Sequence, residues 1–476
     1  MPSKRWLFPL LPLAAIAITA AIFPDITRKI VYGPSVGAGI AAELGCAGIY
    51  VMHRDPQDVV AQDLLSTDPL LARVNLTIDL PHQTTTATML GLVSRTALYR
   101  PGLGCTLINE RDEAALRGQT AGLKPMPQEP RDAPWPAGDA VDLDHLPAGV
   151  DKPALDAAID GTFEEAKLGG RIDTRAVLVA WHGRIIAERY APGYSKDTRL
   201  LGWSMSKSVT SALIGTLVAD GKLMLEAPPP VPALRKAADG RQTITLKQLL
   251  QMKSGLQFTE TYGPGDDSTA MLFGRDDMAE YAASRPLEHP PGSHWSYSSG
   301  TANILAHLVF DAAGGSLVKN YDYAREHLFA PAGMTSAEFA PDGTGAFVGS
   351  SYLYMNARDW ARFGQLYLNK GELNGHRILS EDWVAFSHES VGPIEDEGGG
   401  YAAQFWLNSD GANPPSVRWR HVPEDTYMAL GHNEEIVAIV PSQGLVFVRL
   451  GWTTGGARFN VDKHLSSVLA SVHDAS

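Results

Sequence analysis

Ser204-Met205-Ser206-Lys207 sets a hydroxyl and an amine three residues apart at the start of a segment patterned as a helix. On a helix that spacing brings both side chains to one face, so the Lys207 amine can reach the Ser204 hydroxyl. The helix N-terminus adds the positive end of its dipole and free backbone N–H groups beside the same hydroxyl. A serine becomes a useful nucleophile only next to a base, and a partly desolvated lysine can be that base. Alone, the pattern is equally what a serine cap followed by a solvated lysine would give.

The elements that must hold this pair are legible from periodicity. Val209, Leu213, Ile214 and Leu217 repeat at helical spacing over residues 204–220, and Gly221 is a stop signal. Residues 177–181 and 185–190 read as strands joined at the turn His182-Gly183-Arg184. Residues 435–440 and 444–450 form a second β-rich pair around Pro441-Ser442-Gln443, and an amphipathic helix is expected over residues 462–473. A strand pair, a long helix-rich middle, another strand pair and a terminal helix imply an α+β fold: one antiparallel β-sheet flanked by helices, with a helical subdomain.

The residues that follow Lys207 add context. Leu249-Leu250-Gln251-Met252-Lys253-Ser254-Gly255-Leu256, then Pro291-Gly292-Ser293-His294-Trp295-Ser296-Tyr297-Ser298-Ser299-Gly300 with Asn303-Ile304-Leu305, then Met355-Asn356-Ala357-Arg358-Asp359-Trp360 occur in that order. The set resembles the class C β-lactamase and penicillin-binding-protein-like serine hydrolases, and within them the 6-aminohexanoate-dimer hydrolase and esterase branch, whose second motif is Tyr-x-Ser. The resemblance implies the β-lactamase/transpeptidase-like fold and gives Tyr297 the role of shuttling a proton between Ser204 and the leaving group, with Lys207 beside it and Ser299 as a positioning group. It implies an oxyanion hole made by the backbone N–H groups of Ser204 and His432, the latter just past Gly431. It also marks the loop with Tyr262, Asp266 and Asp267, together with Asn433, as lining for substrate. The third motif departs from the branch: Glu434 and Glu435 stand where it has Gly and Gln. Ala429 stands where a basic side chain would grip the carboxylate of a penicillin or a D-Ala terminus. The function implied is hydrolysis of a small ester or amide through an acyl-enzyme on Ser204, with no cofactor. The rivals are a β-lactamase or D-Ala-D-Ala peptidase and, from another class, a non-catalytic ligand-binding or sensory protein on the same fold.

Composition bounds the partners. The 476 residues are 44% hydrophobic and 20% charged, ordinary for globular chains, and a net charge of −13 without a basic stripe excludes nucleic acid. Lys4 and Arg5 precede an uncharged run at residues 6–23, an export signal whose length admits either a cleaved leader or an inner-membrane anchor. Both readings put the bulk of the chain in the periplasm. The two cysteines, Cys46 and Cys105, are expected to bond there, closing a loop worth roughly 4 kcal/mol in the chain-entropy model; two buried thiols are the alternative. Neither has metal-ligand spacing, and no CxxC or HExxH occurs. The expected organisation is a signal peptide or membrane anchor over 1–24, a disulfide-stapled extension with a Pro-rich linker over 25–150, and the hydrolase domain over 151–476.

Overall fold

The computed structural model describes residues 24–128, 130, 132–165, 170–394 and 398–474; the run at 6–23 lies outside them. Helix α1 (Pro24–Cys46) leads into a four-stranded antiparallel sheet in sequential order, β1 (Val74–Asp79), β2 (Thr84–Met89), β3 (Val93–Arg100) and β4 (Gly104–Leu107). Small buried residues of α1, Ala41 and Ala42, meet Ala87 and Ala97 in one apolar cluster, which lets the helix lie close to the strands. Cys46 and Cys105 are bonded, S–S 1.93 Å, joining the end of α1 to β4.

The proline-rich stretch is a strap. Proline supplies no N–H for a ladder, so its neighbours' carbonyls need other donors. Buried arginines supply them: Arg362 Nε donates to Pro136 O (2.9 Å) and Arg358 Nη1 to Asp139 O (2.8 Å). The strap ends at α2 (Lys152–Gly161), capped by Asp151, whose carboxylate accepts the Ala154 N–H (3.1 Å).

Among the described residues the principal sheet has seven antiparallel strands. They are β5 (Thr174–Trp181), β6 (Arg184–Tyr190), β7 (Gly400–Tyr401), β8 (Trp406–Leu407), β9 (Tyr427–Leu430), β10 (Ile436–Val440) and β11 (Leu445–Gly451), in spatial order β7-β8-β9-β10-β11-β5-β6. Both expected hairpins are present. All residues of β5 are buried because both its faces are covered. Ala176, Leu178 and Ala180 enter one core and Val177, Val179 and Trp181 the other, as the two-residue period of a strand dictates. The first core holds α3 (Met205–Ala219), α5 (Ser299–Ala313) and α6 (Ala357–Leu368), with α4 (Asp267–Gly274) beside them; the second holds α2 and α7 (Val461–Leu469). Helix α7 is shorter than the pattern over 462–473 suggested. The chain beyond it pairs with the end of the strap: Asp151 N donates to Ser471 O (2.8 Å) and His473 N to Gly149 O (2.9 Å).

The N-terminal elements are stitched to the principal sheet through Asp63. Its carboxylate, 1% exposed, pairs with Arg54 and with Arg175 of β5, while Trp452 Nε1 donates to Asp63 O (3.3 Å). Removing that carboxylate leaves the fully buried Arg175 with Asp173 alone. Asp63→Ala is expected to destabilise by about 3 kcal/mol, read as a lower urea midpoint; an unchanged midpoint would mean the contact does not hold the two parts together.

Candidate active site

Ser204 is the N-cap residue of α3 and keeps some exposure although the helix it opens is buried from Met205 to Leu217. A helix buried all round must satisfy its hydroxyls, and here each finds a backbone acceptor. Ser206 Oγ donates to Trp203 O (2.6 Å), Ser208 Oγ to Gln404 O (2.6 Å), Thr210 Oγ1 to Gly349 O (3.0 Å) and Ser211 Oγ to Ala403 O (3.0 Å). These bonds fix α3 in rotation and height, and so fix Ser204. Gly215 admits no side chain, because a Cβ there would lie 2.5 Å from Trp383 Nε1.

Lys207, one turn on, is 1% exposed and directs its Nζ back to Ser204 Oγ (3.0 Å). Its other donors reach Ser299 Oγ (3.1 Å) and Ser350 O (3.0 Å). Ser350 is held by α5, where Asn303 Oδ1 accepts its N–H (3.1 Å). Burial pulls the Lys207 amine down to about 8, opposed by the nearby Glu260 carboxylate. Tyr297 turns its ring to this amine, with Nζ 4.7 Å from the centroid. The ring is stacked on Trp406 at 5.3 Å and meets Tyr401 edge-on at 6.1 Å. Aromatic packing on one side and an amine on the other leave the phenol little freedom to swing.

Ser299, the first residue of α5, is the hub of a polar chain. It accepts from Lys207 and donates to Glu260 Oε1 (2.5 Å), while its backbone N–H donates to Glu260 Oε2 (2.9 Å). Tyr262 OH donates to Glu260 Oε1 (3.2 Å) and lies 3.5 Å from Ser299 Oγ. Glu260 has no counterpart in the sequence reading. It sits in the loop Thr259-Glu260-Thr261-Tyr262, which has no periodicity, and shares the Ser299 hydroxyl with Lys207.

The third-motif turn lies against the start of α3. A Cβ on Gly431 would fall 2.7 Å from Gly202 O, and the His432 ring packs edge-on to Trp203 at 5.6 Å and against Tyr262 at 5.2 Å. The departure at Glu435 is accommodated inward. Its side chain is buried, Oε2 accepts the Asn433 N–H (3.0 Å), and burial pushes the carboxyl up to about 8. Arg449 is committed to the same turn, donating to Asn433 O (3.0 Å), Glu434 O (2.9 Å) and Ile172 O (2.6 Å).

Of the residues expected to line a substrate, Tyr262 is brought to the centre. The others bond within or beside their own loops. Asp266 accepts from Thr261 Oγ1 (2.7 Å) and Gly263 N (2.6 Å), and Asp267 from Thr259 N (2.9 Å) and Tyr281 OH (2.7 Å), so both carboxylates fold the loop. Asn433 Nδ2 is turned to Thr453 O (2.9 Å). Short polar side chains in turns bond their own backbone before they reach outward.

A serine at the N-terminus of a buried helix thus has an amine one turn later and a tyrosine ring over that amine. Residues 159–468 match the Beta-lactamase family over most of the chain. The chain belongs to the Beta-lactamase family. It is 28% identical over 303 residues to the 6-aminohexanoate-dimer hydrolase of Paenarthrobacter ureafaciens, covering 59% of this chain and 73% of that one. It is 30% identical over 205 residues to Esterase EstB of Burkholderia gladioli, covering 38% of this chain and 52% of the esterase. Among solved structures, the octameric penicillin-binding protein homologue from Pyrococcus abyssi superimposes with TM-score 0.52 at 16% identity, over 68% of this chain and 78% of that one, which establishes the fold. The family match begins after the strap, so α1 and the four-stranded sheet are additions to it.

The polar chain makes a sign prediction. The neutral Lys207 amine is the basic form, and the Glu260 charge favours the ammonium. Glu260→Gln removes that charge, so the amine loses its proton at lower pH and the acidic limb of kcat/KM against pH is expected to move to lower pH. A limb that stays in place, or moves up, means that Glu260 is not coupled to Lys207.

Proposed function

We infer that this chain is an exported serine hydrolase that cleaves an ester or amide bond through an acyl-enzyme on Ser204, with Lys207 and Tyr297 handling the protons. The observation that carries the reading is the 3.0 Å contact between a buried amine, held near 8, and the hydroxyl of a partly exposed helix-capping serine. In the neutral form Lys207 keeps its bonds to Ser299 Oγ and Ser350 O and turns its lone pair to the Ser204 hydroxyl. Ser204 Oγ attacks the carbonyl carbon, and its proton passes to Lys207. Tyr297, against the same Nζ, relays a proton to the leaving oxygen or nitrogen as the bond to the carbonyl carbon breaks. Water then repeats the sequence on the ester of Ser204, regenerating the serine and releasing the acid.

The oxyanion of the tetrahedral intermediate is assigned to the backbone N–H groups of Ser204 and His432. The contact of Gly431 with Gly202 supports the assignment, since it sets the two turns side by side. The inward turn of Glu435 leaves that arrangement standing despite the altered motif, which favours an enzyme over a sensory protein on the same fold. The printed names of the two relatives, a dimer hydrolase and an esterase, agree with ester or amide cleavage. Export is supported by the leader in the sequence and by the disulfide, which fits an oxidising compartment. The leader over 1–24, the extension over 25–150 and the hydrolase unit over 151–476 are retained as the domain division.

Two measurements test this. Ser204→Ala is expected to abolish fluorophosphonate labelling, and Lys207→Met to lower turnover of a nitrophenyl ester by roughly 100-fold or more with the thermal transition kept within a few degrees. Near-normal turnover in Lys207→Met at neutral pH would make Lys207 structural.

Substrate class follows from position 429. Ala429 is 1% exposed and supplies no cation, and the Arg449 guanidinium is spent on backbone carbonyls. A short acyl ester is therefore expected to be cleaved with kcat/KM at least about tenfold above that for nitrocefin, whose carboxylate gains no charge-assisted bond from position 429 or from Arg449. Nitrocefin as the better substrate would place an anion-gripping cation in the cleft and overturn the assignment.

A further inference from the structure

The widely exposed large apolar side chains are unevenly distributed. Among the described residues they are Ile30, Val31, Tyr32, Leu65, Leu70, Leu80, Leu90, Leu92 and Met224, so all but Met224 belong to the elements that precede the strap. Six of them, Ile30, Val31, Tyr32, Leu70, Leu90 and Leu92, share one end of that region. Leu90 N donates to Arg73 O (3.2 Å), joining the β2–β3 turn to the helical turn that carries Leu70. Arg95, at the start of β3, donates to Ser35 Oγ of α1 (2.7 Å). A Cβ on Gly37 would lie 3.3 Å from Met89 Cε and 3.6 Å from Leu71 Cδ2. The β2–β3 turn therefore flanks the first part of α1, and Ile30 lies about 7 Å further along that helix from Ser35. Leu80 is at the other end of the small sheet, in the β1–β2 turn.

Exposing Ile30 at 68%, Leu70 at 65% and Leu92 at 80% on one end of a folded protein is costly in water. What meets this end follows from the chain that precedes it. Residues 6–23 are an uncharged apolar run, and α1 begins at Pro24, so Ile30 stands about 10 Å of helix beyond the end of that run. That reaches the outer edge of a headgroup zone roughly 5–8 Å deep if the run enters a bilayer with the helix tilted by about 40°. The charge agrees: Arg28 and Lys29 directly precede Ile30 in the sequence, and Arg73 and Arg95 flank the apolar turns, in a chain whose net charge is −13. Asp68 is also here, its carboxylate taken by the Leu70 N–H (2.8 Å).

We propose that this end of the N-terminal extension is a docking surface for an anionic phospholipid bilayer, with Leu70, Leu90 and Leu92 inserted beside the start of α1. The docking brings the active site to the membrane. The Tyr32 ring lies against Gly265, where a Cβ would come within 2.7 Å of Tyr32 Cδ2, and that loop carries Tyr262 to Ser299 and to the His432 ring. One wall of the site is thus built on the residue next to the bilayer contact, and esters or amides dissolved in lipid are the substrates it would meet. This last step rests on the hydrolase reading; the docking itself does not.

The test uses the full chain in vesicles. Cys46 and Cys105 are bonded to each other, so Leu92→Cys offers the free thiol for an environment-sensitive fluorophore, and Met224→Cys serves as the exposed apolar control. With vesicles of phosphatidylcholine and phosphatidylglycerol, the probe at 92 is expected to brighten by about twofold or more and to be quenched by lipids spin-labelled near the headgroup. The probe at 224 should do neither. A probe at 92 that stays water-exposed and unquenched while the chain floats with the vesicles overturns the proposal. So does a probe at 92 that responds to rising protein concentration without lipid, since the patch is then a contact between copies. Hydrolysis of a soluble nitrophenyl ester is measured on the same samples: it should be unchanged in Leu92→Cys, and its absence alongside a lipid response would reject the hydrolase reading and leave the docking.

Discussion

The structure is organised around one buried ammonium. A lysine side chain taken from water into a protein interior loses hydration that no single neutral hydrogen bond restores, so it must be given several acceptors or lose its proton. Lys207 has three acceptors at about 3 Å, from three separate parts of the chain: Ser204 on its own helix, Ser299 on α5 and the carbonyl of Ser350. Together they make the charged form tolerable and leave the neutral form near enough to be reached. Each of those acceptors is itself fixed, Ser350 by Asn303 and Ser299 by Glu260. The amine thus sets where α3, α5 and the loop bearing Glu260 must meet.

Glu260 and Lys207 oppose each other's burial. The carboxyl is pushed up by its enclosure and held down by the ammonium, while the amine is pulled down by its enclosure and held up by the carboxylate. Their charges act on each other across the Ser299 hydroxyl, which accepts from the amine and donates to the carboxylate. Full contact would raise the amine back toward its ordinary value and cost it as a base. The interposed hydroxyl is a compromise between stability of the buried amine and its availability.

How much of this was legible in the sequence differs by interaction range. Ser204 and Lys207 are readable because a helix converts a three-residue spacing into contact. The two hairpins are readable because their strands alternate between two cores and end at turn residues such as His182 (φ 47°) and Gly183 (φ 76°). The disulfide is readable because the two cysteines leave one intramolecular pairing. Glu260 is not readable: a lone acid between threonines carries no period, and its partners are brought near only by the tertiary fold. The partners of Asp266 and Asp267 are not readable either: Thr261 Oγ1 and Gly263 N donate to one and Thr259 N and Tyr281 OH to the other, contacts that only the folded loop brings together. Glu435 looks like a break in a motif, and what the sequence does not show is that its carboxyl turns inward and accepts the Asn433 N–H of the same turn.

The N-terminal extension poses a separate question of economy. Its four-stranded sheet is stapled to α1 by the disulfide, and the extension is tied to the hydrolase part by the buried Asp63 cluster and by Thr106 Oγ1 donating to Pro341 O (2.6 Å). These contacts are buried and charge-compensated, of the kind that fixes orientation, since an ion pair between two arginines and one carboxylate tolerates little sliding. A flexible tether would suffice to keep an enzyme near a membrane. A rigid one is needed only if direction matters, and Tyr32 against the loop of Tyr262 adds a further contact between the extension and the hydrolase part. Orientation of the site opening relative to whatever the exposed end touches is therefore the property that the buried contacts preserve.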